Sequence, residues 1–263
     1  MPITTSADGT QIAYDIQGAG VVLIYITGAL CHRKMREVVR DAKVFADRFT
    51  VVTYDRRGRG DSGDADDWSL EREIEDIEAL IHATGGHAAL YGHSSGAVLA
   101  THAAARLGDL IEAVVLYDAS WVADDDEARD YATLTSEIDD LLQDDKRPAA
   151  IRRFLLGIGM PKPFTLLLPL LPGWTTMKQL APTLRYDMAL TATPPPLDVV
   201  AQTGTPLHVM VGQRSPRELH TVAEAVAGVH GACPQVVAGQ DHLVAPKTML
   251  PLLAEVLLDA PQR

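Results

Sequence analysis

A chain of 263 residues has the length of one large domain, or of one domain that carries an insertion. Its 35 Asp and Glu residues outnumber the 23 Lys and Arg residues, which gives a net charge of −12, and such an acidic surface repels nucleic acids and anionic membranes. Hydrophobic residues make up 47% and charged residues 22% of the chain, an ordinary globular composition that argues against long disordered tracts.

Strands and helices alternate in the first half of the chain. The continuous apolar run over residues 21–26 is typical of a strand buried on both faces, as in a parallel sheet. Ser69 precedes acidic residues and an apolar stripe, which marks it as the N-cap of a helix. The predicted strands cover residues 12–16, 21–26, 50–54, 88–91 and 113–117, and the predicted helices cover 36–48, 69–84 and 95–107. This alternation predicts parallel pairing with right-handed crossovers.

The alternation stops at about residue 121 and resumes after residue 203. The later predicted elements are strands at 207–211 and 235–237 and helices at 218–227 and 247–258. We therefore predict an α/β fold with a mostly parallel central sheet and helices on both faces, built from residues 1–120 and 204–263. Residues 121–203 form a predicted helical cap over the carboxyl edge of the sheet, where α/β proteins bind ligands.

Two features bear on the compartment of the protein. The cysteines, Cys31 and Cys233, have neither the pattern of a disulfide framework nor the spacing of a zinc site, so we expect free thiols in a reducing compartment. The N-terminus lacks the basic and apolar regions of a secretory signal, and the longest apolar stretch, near Leu166–Leu171, is broken by prolines. We expect a soluble, cytoplasmic protein.

The sharpest motif is Gly92-His93-Ser94-Ser95-Gly96, between a predicted strand and a predicted helix. Its two glycines permit a tight turn that lifts Ser94 above the sheet, and the helix N-terminus beneath favours the negative charge that develops during acyl transfer. In an alternating chain this context predicts a nucleophilic serine. The other interpretation is a turn of small residues formed for close packing.

With this motif and the preceding Arg-rich loop Tyr54-Asp55-Arg56-Arg57-Gly58-Arg59-Gly60-Asp61-Ser62, the sequence resembles the α/β-hydrolase family over nearly all of its length. The resemblance implies that Ser94 is the nucleophile and His242 its base, because the family places the histidine on the loop after the last strand. It also implies an oxyanion hole formed by the backbone N–H groups of Ala29 and Ser95. We expect charge-assisted hydrogen bonds to hold the Arg-rich loop.

The acid of the triad has two candidate positions. The common family position, shortly after the strand at 207–211, carries no Asp, and Glu218 already lies inside the next predicted helix. Asp118 stands at the end of the strand at 113–117, where certain dehalogenases and lactonases of the family carry the acid. A carboxylate at either strand end reaches the same imidazole nitrogen. We expect Asp118 to be the acid, with Glu218 as the alternative.

The predicted cap and the loop after the first buried strand supply a candidate pocket. Thr27 stands where the family often has His, and His32 follows the oxyanion loop. The candidate pocket residues are Thr27, His32, Trp121, Phe154, Trp174, Met177 and Tyr186. Any one of the cap side chains can instead pack the cap onto the core. Together they favour a small, largely apolar or aromatic substrate.

These residues predict a serine hydrolase that cleaves an ester, thioester or lactone through an acyl-enzyme. The same triad also serves acyl transfer, C–C bond hydrolysis and perhydrolysis of the cofactor-free haloperoxidase type. A ligand-binding receptor on the same fold is the alternative outside the enzymes. The sequence contains no nicotinamide, flavin or metal motif, so we expect no cofactor and no metal. The expected partner is a small molecule, bound by a monomer or a homodimer.

Overall fold

The computed structural model describes residues 1–65, 67–170 and 172–258, and within them eight strands form one sheet. The strands are β1 (Ile3–Thr5), β2 (Gln11–Gly18), β3 (Val22–Ile26), β4 (Thr50–Tyr54), β5 (Ala88–His93), β6 (Ile111–Tyr117), β7 (Leu207–Gly212) and β8 (Gln235–Val237). The helices are α1 (Arg36–Phe45), α2 (Leu70–Ala83), α3 (Ser95–Leu107), α4 (Asp125–Gln143), α5 (Arg147–Gly157), α6 (Lys162–Leu167), α7 (Trp174–Leu180), α8 (Leu184–Thr191), α9 (Leu197–Gln202), α10 (Arg217–Gly228) and α11 (Pro246–Leu257).

The strand order in the sheet is β1-β2-β4-β3-β5-β6-β7-β8. β1 and β2 pair antiparallel with each other, and β2 pairs antiparallel with β4. Every pairing from β4 through β3, β5, β6 and β7 to β8 is parallel. The predicted α/β fold with a mostly parallel sheet and flanking helices is therefore confirmed. In the parallel part all carboxyl strand ends meet at one edge, which is where the site described below lies.

The buried strands explain why helices cover both faces of the sheet. Along β3, Ile24 packs into a cluster with side chains of α2, α3 and α10, whereas Leu23 and Tyr25 pack into a second cluster with α1 and α11. Successive side chains of a strand point to opposite faces, so a strand that is apolar at every position needs a cover on each side. The N-cap predicted for α2 is also present, since the Ser69 hydroxyl accepts a hydrogen bond from the Arg72 N–H.

The segment between β6 and β7 is helical, and we call α4–α9 the insertion. Its apolar side chains form a third cluster, in which Leu30 of the loop after β3 also takes part. The insertion therefore packs on the loop that follows the first buried strand. The boundaries of core and cap, 1–120, 121–203 and 204–263, stay a prediction, and Leu171 and residues 259–263 lie outside the described residues. Within the part of the chain that is described, no helix combines the length and apolar character needed to span a bilayer.

Candidate active site

Ser94 lies in the sharp turn between β5 and α3. Its backbone has φ 59° and ψ −127°, a left-handed conformation that non-glycine residues adopt at a cost and that is typical of a nucleophile elbow. The flanking glycines are needed for close packing rather than for their φ angles. A Cβ at Gly96 would overlap the carbonyl oxygen of Ile26, and a Cβ at Gly92 would lie 2.6 Å from the carbonyl oxygen of Gly96. The local sequence thus folds this turn tightly against β3 and lifts the Ser94 side chain out of the sheet.

Asp118 and His242 are in direct contact. His242 Nδ1 lies 3.0 Å from Asp118 Oδ2, although the two residues are 124 positions apart in the chain. Asp118 follows β6 directly and also has a positive φ, 48°, which turns its carboxylate toward the end of β7. There it accepts hydrogen bonds from the Gly212 N–H at 2.9 Å and the Ser215 hydroxyl at 2.6 Å. Two donors, the Gly212 N–H and the Ser215 hydroxyl, thus hold this carboxylate against Nδ1 of the imidazole.

The environment of Asp118 keeps its carboxyl group ionised. Burial by itself would raise the pKa of Asp118, but the hydrogen bonds from His242, Ser215 and the Gly212 backbone outweigh it and lower the pKa below its ordinary value. An ionised Asp118 accepts a hydrogen bond from Nδ1–H of His242, which leaves Nε2 of that ring without a hydrogen and able to accept a proton. The other acid considered, Glu218, is exposed in the first turn of α10.

His93 supports the His242 loop from the other side. Burial and the neighbouring His242 lower the pKa of His93 to about 4, so this ring is neutral near pH 7. Its Nε2–H donates to the His242 carbonyl oxygen at 2.8 Å, and the two ring centroids lie 4.8 Å apart. Within the described chain, Ser94 Oγ has its hydrogen bond with Ser120 Oγ, at 3.3 Å, and none with His242. Catalytic hydrogen bonds of this kind often form only once substrate is bound.

The loop after β3 lies directly against Ser94. A Cβ at Gly28 would be 2.9 Å from Ser94 Cβ, so only glycine allows this approach. Ala29, the predicted second donor of an oxyanion hole, follows at once. The carbonyl oxygen of Gly28 accepts a hydrogen bond from Arg59 Nη1 at 2.8 Å, and that of Thr27 lies 3.5 Å from Arg56 Nη1. The Arg-rich loop therefore holds this segment from behind.

The arginines of that loop are buried and paired, as the sequence predicts. Arg56 donates two hydrogen bonds of 2.6 Å to Glu73 of α2 and one of 2.7 Å to Asp187 of α8. Arg59 donates to the other oxygen of Asp187 at 2.6 Å. The Ser95 hydroxyl donates to Asp187 as well, at 2.7 Å. Asp187 thus joins the insertion to the first residue of α3.

Sequence reasoning did not single out Asp187. Burial would raise its pKa, but the guanidinium groups of Arg59 and Arg56 and the Ser95 hydroxyl lower it below the ordinary value of an Asp. The residue sits 131 positions from Arg56 inside a segment of irregular pattern, and no local signal marks it. Only the packing of α8 on the core reveals its partners.

The candidate pocket residues fall into different environments. Phe154 is buried inside the cluster of the insertion, and Trp174 and Met177 lie at the edge of that cluster, where Ala29 also packs. His32 is half-buried, and burial lowers its pKa. These four side chains lie in or around the contact between the insertion and the loop after β3.

Trp121 and Tyr186 have contacts elsewhere. Trp121 packs in the core cluster that contains α3, with its ring centroid 6.4 Å from that of His102. The Tyr186 ring stacks on Trp68 with centroids 5.1 Å apart, and its hydroxyl donates to Asp64 at 2.9 Å. The structure thus explains Trp121 by packing within the core, and Tyr186 by packing between the insertion and the core.

The described residues contain no group of three or more His, Cys, Asp or Glu side chains placed to hold a metal ion. Two cavities lie apart from the triad. One of about 140 Å³ is lined by β7, α10 and Cys233, and one of about 330 Å³ lies between α2, α3 and α9. Neither cavity is lined by Ser94, Asp118 or His242, so both lie away from these three side chains.

Comparisons with known proteins agree with this architecture. A sequence model described as "Alpha/beta hydrolase family" matches residues 23–250. The crystal structure of an alpha/beta hydrolase from Sphaerobacter thermophilus DSM 20745 is 35% identical, with a TM-score of 0.86 over 97% of this chain and 99% of that chain. An enol-lactonase from Burkholderia xenovorans LB400 has the same fold, with a TM-score of 0.74 at 16% identity over 97% of this chain and 100% of that chain.

A curated relative matches over a shorter segment. It is a 2-(acetamidomethylene)succinate hydrolase from Mesorhizobium japonicum (strain LMG 29417 / CECT 9101 / MAFF 303099), 33% identical over 104 residues. The alignment covers 39% of this chain and 37% of the relative. The chain therefore matches little more than a third of that relative's length.

Proposed function

Because this chain belongs to the alpha/beta hydrolase family, we propose that it is a serine hydrolase that cleaves an ester, thioester or lactone of a small, largely apolar molecule. One observation carries the proposal. The Asp118 carboxylate holds His242 Nδ1 at 3.0 Å on the same sheet edge at which the strained turn presents Ser94. A buried carboxylate, an imidazole and a hydroxyl arranged in this way are what acyl transfer requires.

In the proposed mechanism, Ser94 Oγ attacks the acyl carbon and its proton passes to Nε2 of His242. The carbonyl oxygen becomes an oxyanion that the N–H groups of Ala29 and Ser95 stabilise. Collapse of this intermediate expels the alcohol or thiol, which takes the proton from His242, and leaves an acyl-enzyme on Ser94. Water then gives a proton to His242 and attacks the acyl carbon. Collapse of this second intermediate breaks the bond to Ser94 Oγ, which takes the proton back from His242, and the carboxylic acid is released.

Asp118 has two tasks in this scheme. It fixes the tautomer of His242 with the proton on Nδ1, and its charge stabilises the imidazolium that forms in each step. The Gly212 N–H and the Ser215 hydroxyl keep the carboxylate in place while the charge on the imidazole changes. Because the His242 side chain is 35% exposed, substrate and water can reach it.

Amide hydrolysis is a second candidate. The curated relative is named a 2-(acetamidomethylene)succinate hydrolase, and an acetamido group is an amide. The same triad would serve if His242 protonates the leaving nitrogen. The partly buried Trp174 and Met177, at the edge of the cluster of the insertion, favour apolar acyl or alcohol groups in either case.

The test compares wild type with Ser94→Ala on p-nitrophenyl acetate, butyrate and octanoate and on matched p-nitroanilides. We expect turnover of the esters, and Ser94→Ala should leave less than about 1% of it, because loss of a triad nucleophile costs several orders of magnitude. A fluorophosphonate probe should label wild type at Ser94 and leave the variant unlabelled. A ligand-binding receptor would show neither turnover nor labelling, and larger residual activity in the variant would require a different nucleophile.

A further inference from the structure

Asp187 contacts both segments that carry the donors of the proposed oxyanion hole. It belongs to α8 of the insertion and is only 2% exposed. Its Oδ1 accepts from the Ser95 hydroxyl at 2.7 Å, and Ser95 is the residue after the nucleophile. Its Oδ2 accepts from Arg59 at 2.6 Å, and Arg59 in turn donates to the carbonyl oxygen of Gly28 at 2.8 Å. One carboxylate of the insertion therefore reaches both sides of the nucleophile turn.

The bond from Arg59 determines how one peptide group is oriented. The carbonyl oxygen of Gly28 and the N–H of Ala29 belong to the same peptide unit. In a planar trans peptide these two groups point in opposite directions. Because the Arg59 guanidinium holds the Gly28 carbonyl oxygen on one side of the loop, the Ala29 N–H points to the opposite side. Gly28 of the same loop lies against Ser94.

The bond from Ser95 acts on the second donor. Its hydroxyl is tied to Asp187 at the first residue of α3, so the side chain and backbone of that residue are held in one orientation. The hydroxyl lies 3.5 Å from Arg56 Nη1, and Arg56 also donates to Asp187. The N–H of Ser95 at the beginning of the helix is thereby fixed relative to the Ala29 peptide.

The ion pairs of the two arginines show why the hydrogen bond from Arg59 to Gly28 depends on Asp187. Arg56 keeps a bidentate partner in Glu73 if Asp187 is lost. Among the described residues, Arg59 has its salt bridge with Asp187 alone and otherwise donates to carbonyl oxygens. Without the carboxylate, a fully buried guanidinium would lack a counter-charge, and its position against Gly28 would no longer be held.

We propose that Asp187 is a positioning residue through which the insertion holds both backbone donors of the oxyanion hole, Ala29 by way of Arg59 and Gly28, and Ser95 directly. The insertion then contributes to the rate of acyl transfer as well as to the pocket. This inference rests on the proposed function. Asp187 touches no reacting atom, and its effect is confined to steps that form an oxyanion.

The experiment is Asp187→Asn, measured with an ester that the wild type hydrolyses. The amide has one NH₂ group, which faces either Arg59 or Arg56 donor to donor, and in both orientations Arg59 loses the negative charge that holds it. Removal of one oxyanion donor costs about 10²–10³-fold in kcat, and for a displaced donor we expect a fall of about 10- to 100-fold with KM nearly unchanged. All kcat values are normalised to active sites by end-point titration with a fluorophosphonate.

A trifluoromethyl ketone provides the readout that a merely structural role would not change. Ser94 Oγ adds to its carbonyl carbon, the proton goes to His242, and the resulting hemiketal oxyanion occupies the oxyanion hole. Its inhibition constant should rise in Asp187→Asn by about the same factor as kcat falls. The inhibition constant of the alcohol product, which has no carbonyl or anionic oxygen to place in the oxyanion hole, should stay unchanged.

Asp76→Asn is the matched control. Asp76 is as buried as Asp187 and accepts two hydrogen bonds, 2.9 and 2.7 Å long, from Arg57 of the same loop. Among the described residues, neither Asp76 nor the Arg57 side chain has a hydrogen bond with Thr27, Gly28 or Ser95. This control should lower the melting temperature and leave normalised kcat and the ketone constant unchanged. If Asp187→Asn does not fold, Ser95→Ala removes one of the two links and should show a smaller loss with the same pattern.

Two results would overturn the inference. One is an unchanged normalised kcat and ketone constant in Asp187→Asn. The other is an equal loss in Asp76→Asn, which would show that general loosening of the Arg-rich loop is responsible. The proposed function fails separately, since in that case Ser94→Ala would retain activity whatever Asp187→Asn does.

Discussion

Asp118→Asn tests the triad with the smallest possible change of shape. Asparagine has the size of aspartate and is among the residues that tolerate the positive φ of 48° found at this position. Its amide places one oxygen and one NH₂ group where two equivalent oxygens stood. The backbone N–H of Gly212 can only donate, so the amide oxygen takes the place of Oδ1 beside it.

The NH₂ group then faces Ser215 and His242. It donates to Nδ1 of the imidazole, which stabilises the tautomer with the proton on Nε2. That nitrogen can no longer accept the proton of Ser94, and the carboxylate charge that balanced the imidazolium is gone. The same exchange in a serine protease triad costs about 10⁴-fold in kcat, which corresponds to about 5.4 kcal/mol at 1.36 kcal/mol per tenfold.

The assay is kcat for p-nitrophenyl butyrate at pH 7.5, with circular dichroism to check folding. Glu218→Gln is the control, because Glu218 is exposed on α10, and its kcat should stay within about twofold of wild type, as for other surface substitutions. A mild effect of Asp118→Asn together with a crippling effect of Glu218→Gln would refute the assignment and place the acid after β7.

Three further predictions follow from the same contacts. Gly28→Ala should lower kcat at least tenfold while the protein still folds, because the new Cβ would lie 2.9 Å from Ser94 Cβ; a kcat equal to wild type would show that the loop can move away. Treatment with EDTA should leave ester turnover unchanged, and loss of activity that zinc restores would contradict a metal-free triad. The unfolding free energy should decrease as the pH falls below about 4, because Asp118 and Asp187 have lower pKa values in the folded than in the unfolded chain. Their ionised forms stabilise the fold above the unfolded pKa, and this stabilisation is lost as the two groups protonate. Urea titrations from pH 5 to pH 2.5 measure this, and Asp187→Asn should have the shallower dependence.

Local pattern in the sequence was sufficient for the buried strands and for the turn that carries Ser94. An apolar run such as residues 21–26 places apolar side chains on both faces of its strand, so the run by itself predicts that both faces are buried. The pattern Gly92-x-Ser94-x-Gly96 likewise stands within five residues, and a side chain at Gly92 would collide with the backbone of the turn itself. The collision that requires Gly96 is with the carbonyl oxygen of Ile26 in β3, which the pattern alone does not show. Helix α2 begins at Leu70, directly after Ser69, the N-cap that the sequence indicates.

Contacts between distant segments were decided only by the tertiary structure. From the sequence, Asp118 and Glu218 both stood near the end of a strand beside the histidine loop, and the choice depended on which carboxylate the fold turns inward. Asp118 meets His242 across 124 positions of the chain, while Glu218 points to solvent. Asp187 is the stronger case, because its partners lie more than 90 positions away and its segment has no regular pattern. A buried ion pair is formed by whichever groups the packing of helices brings together, and periodicity within one helix does not contain that information.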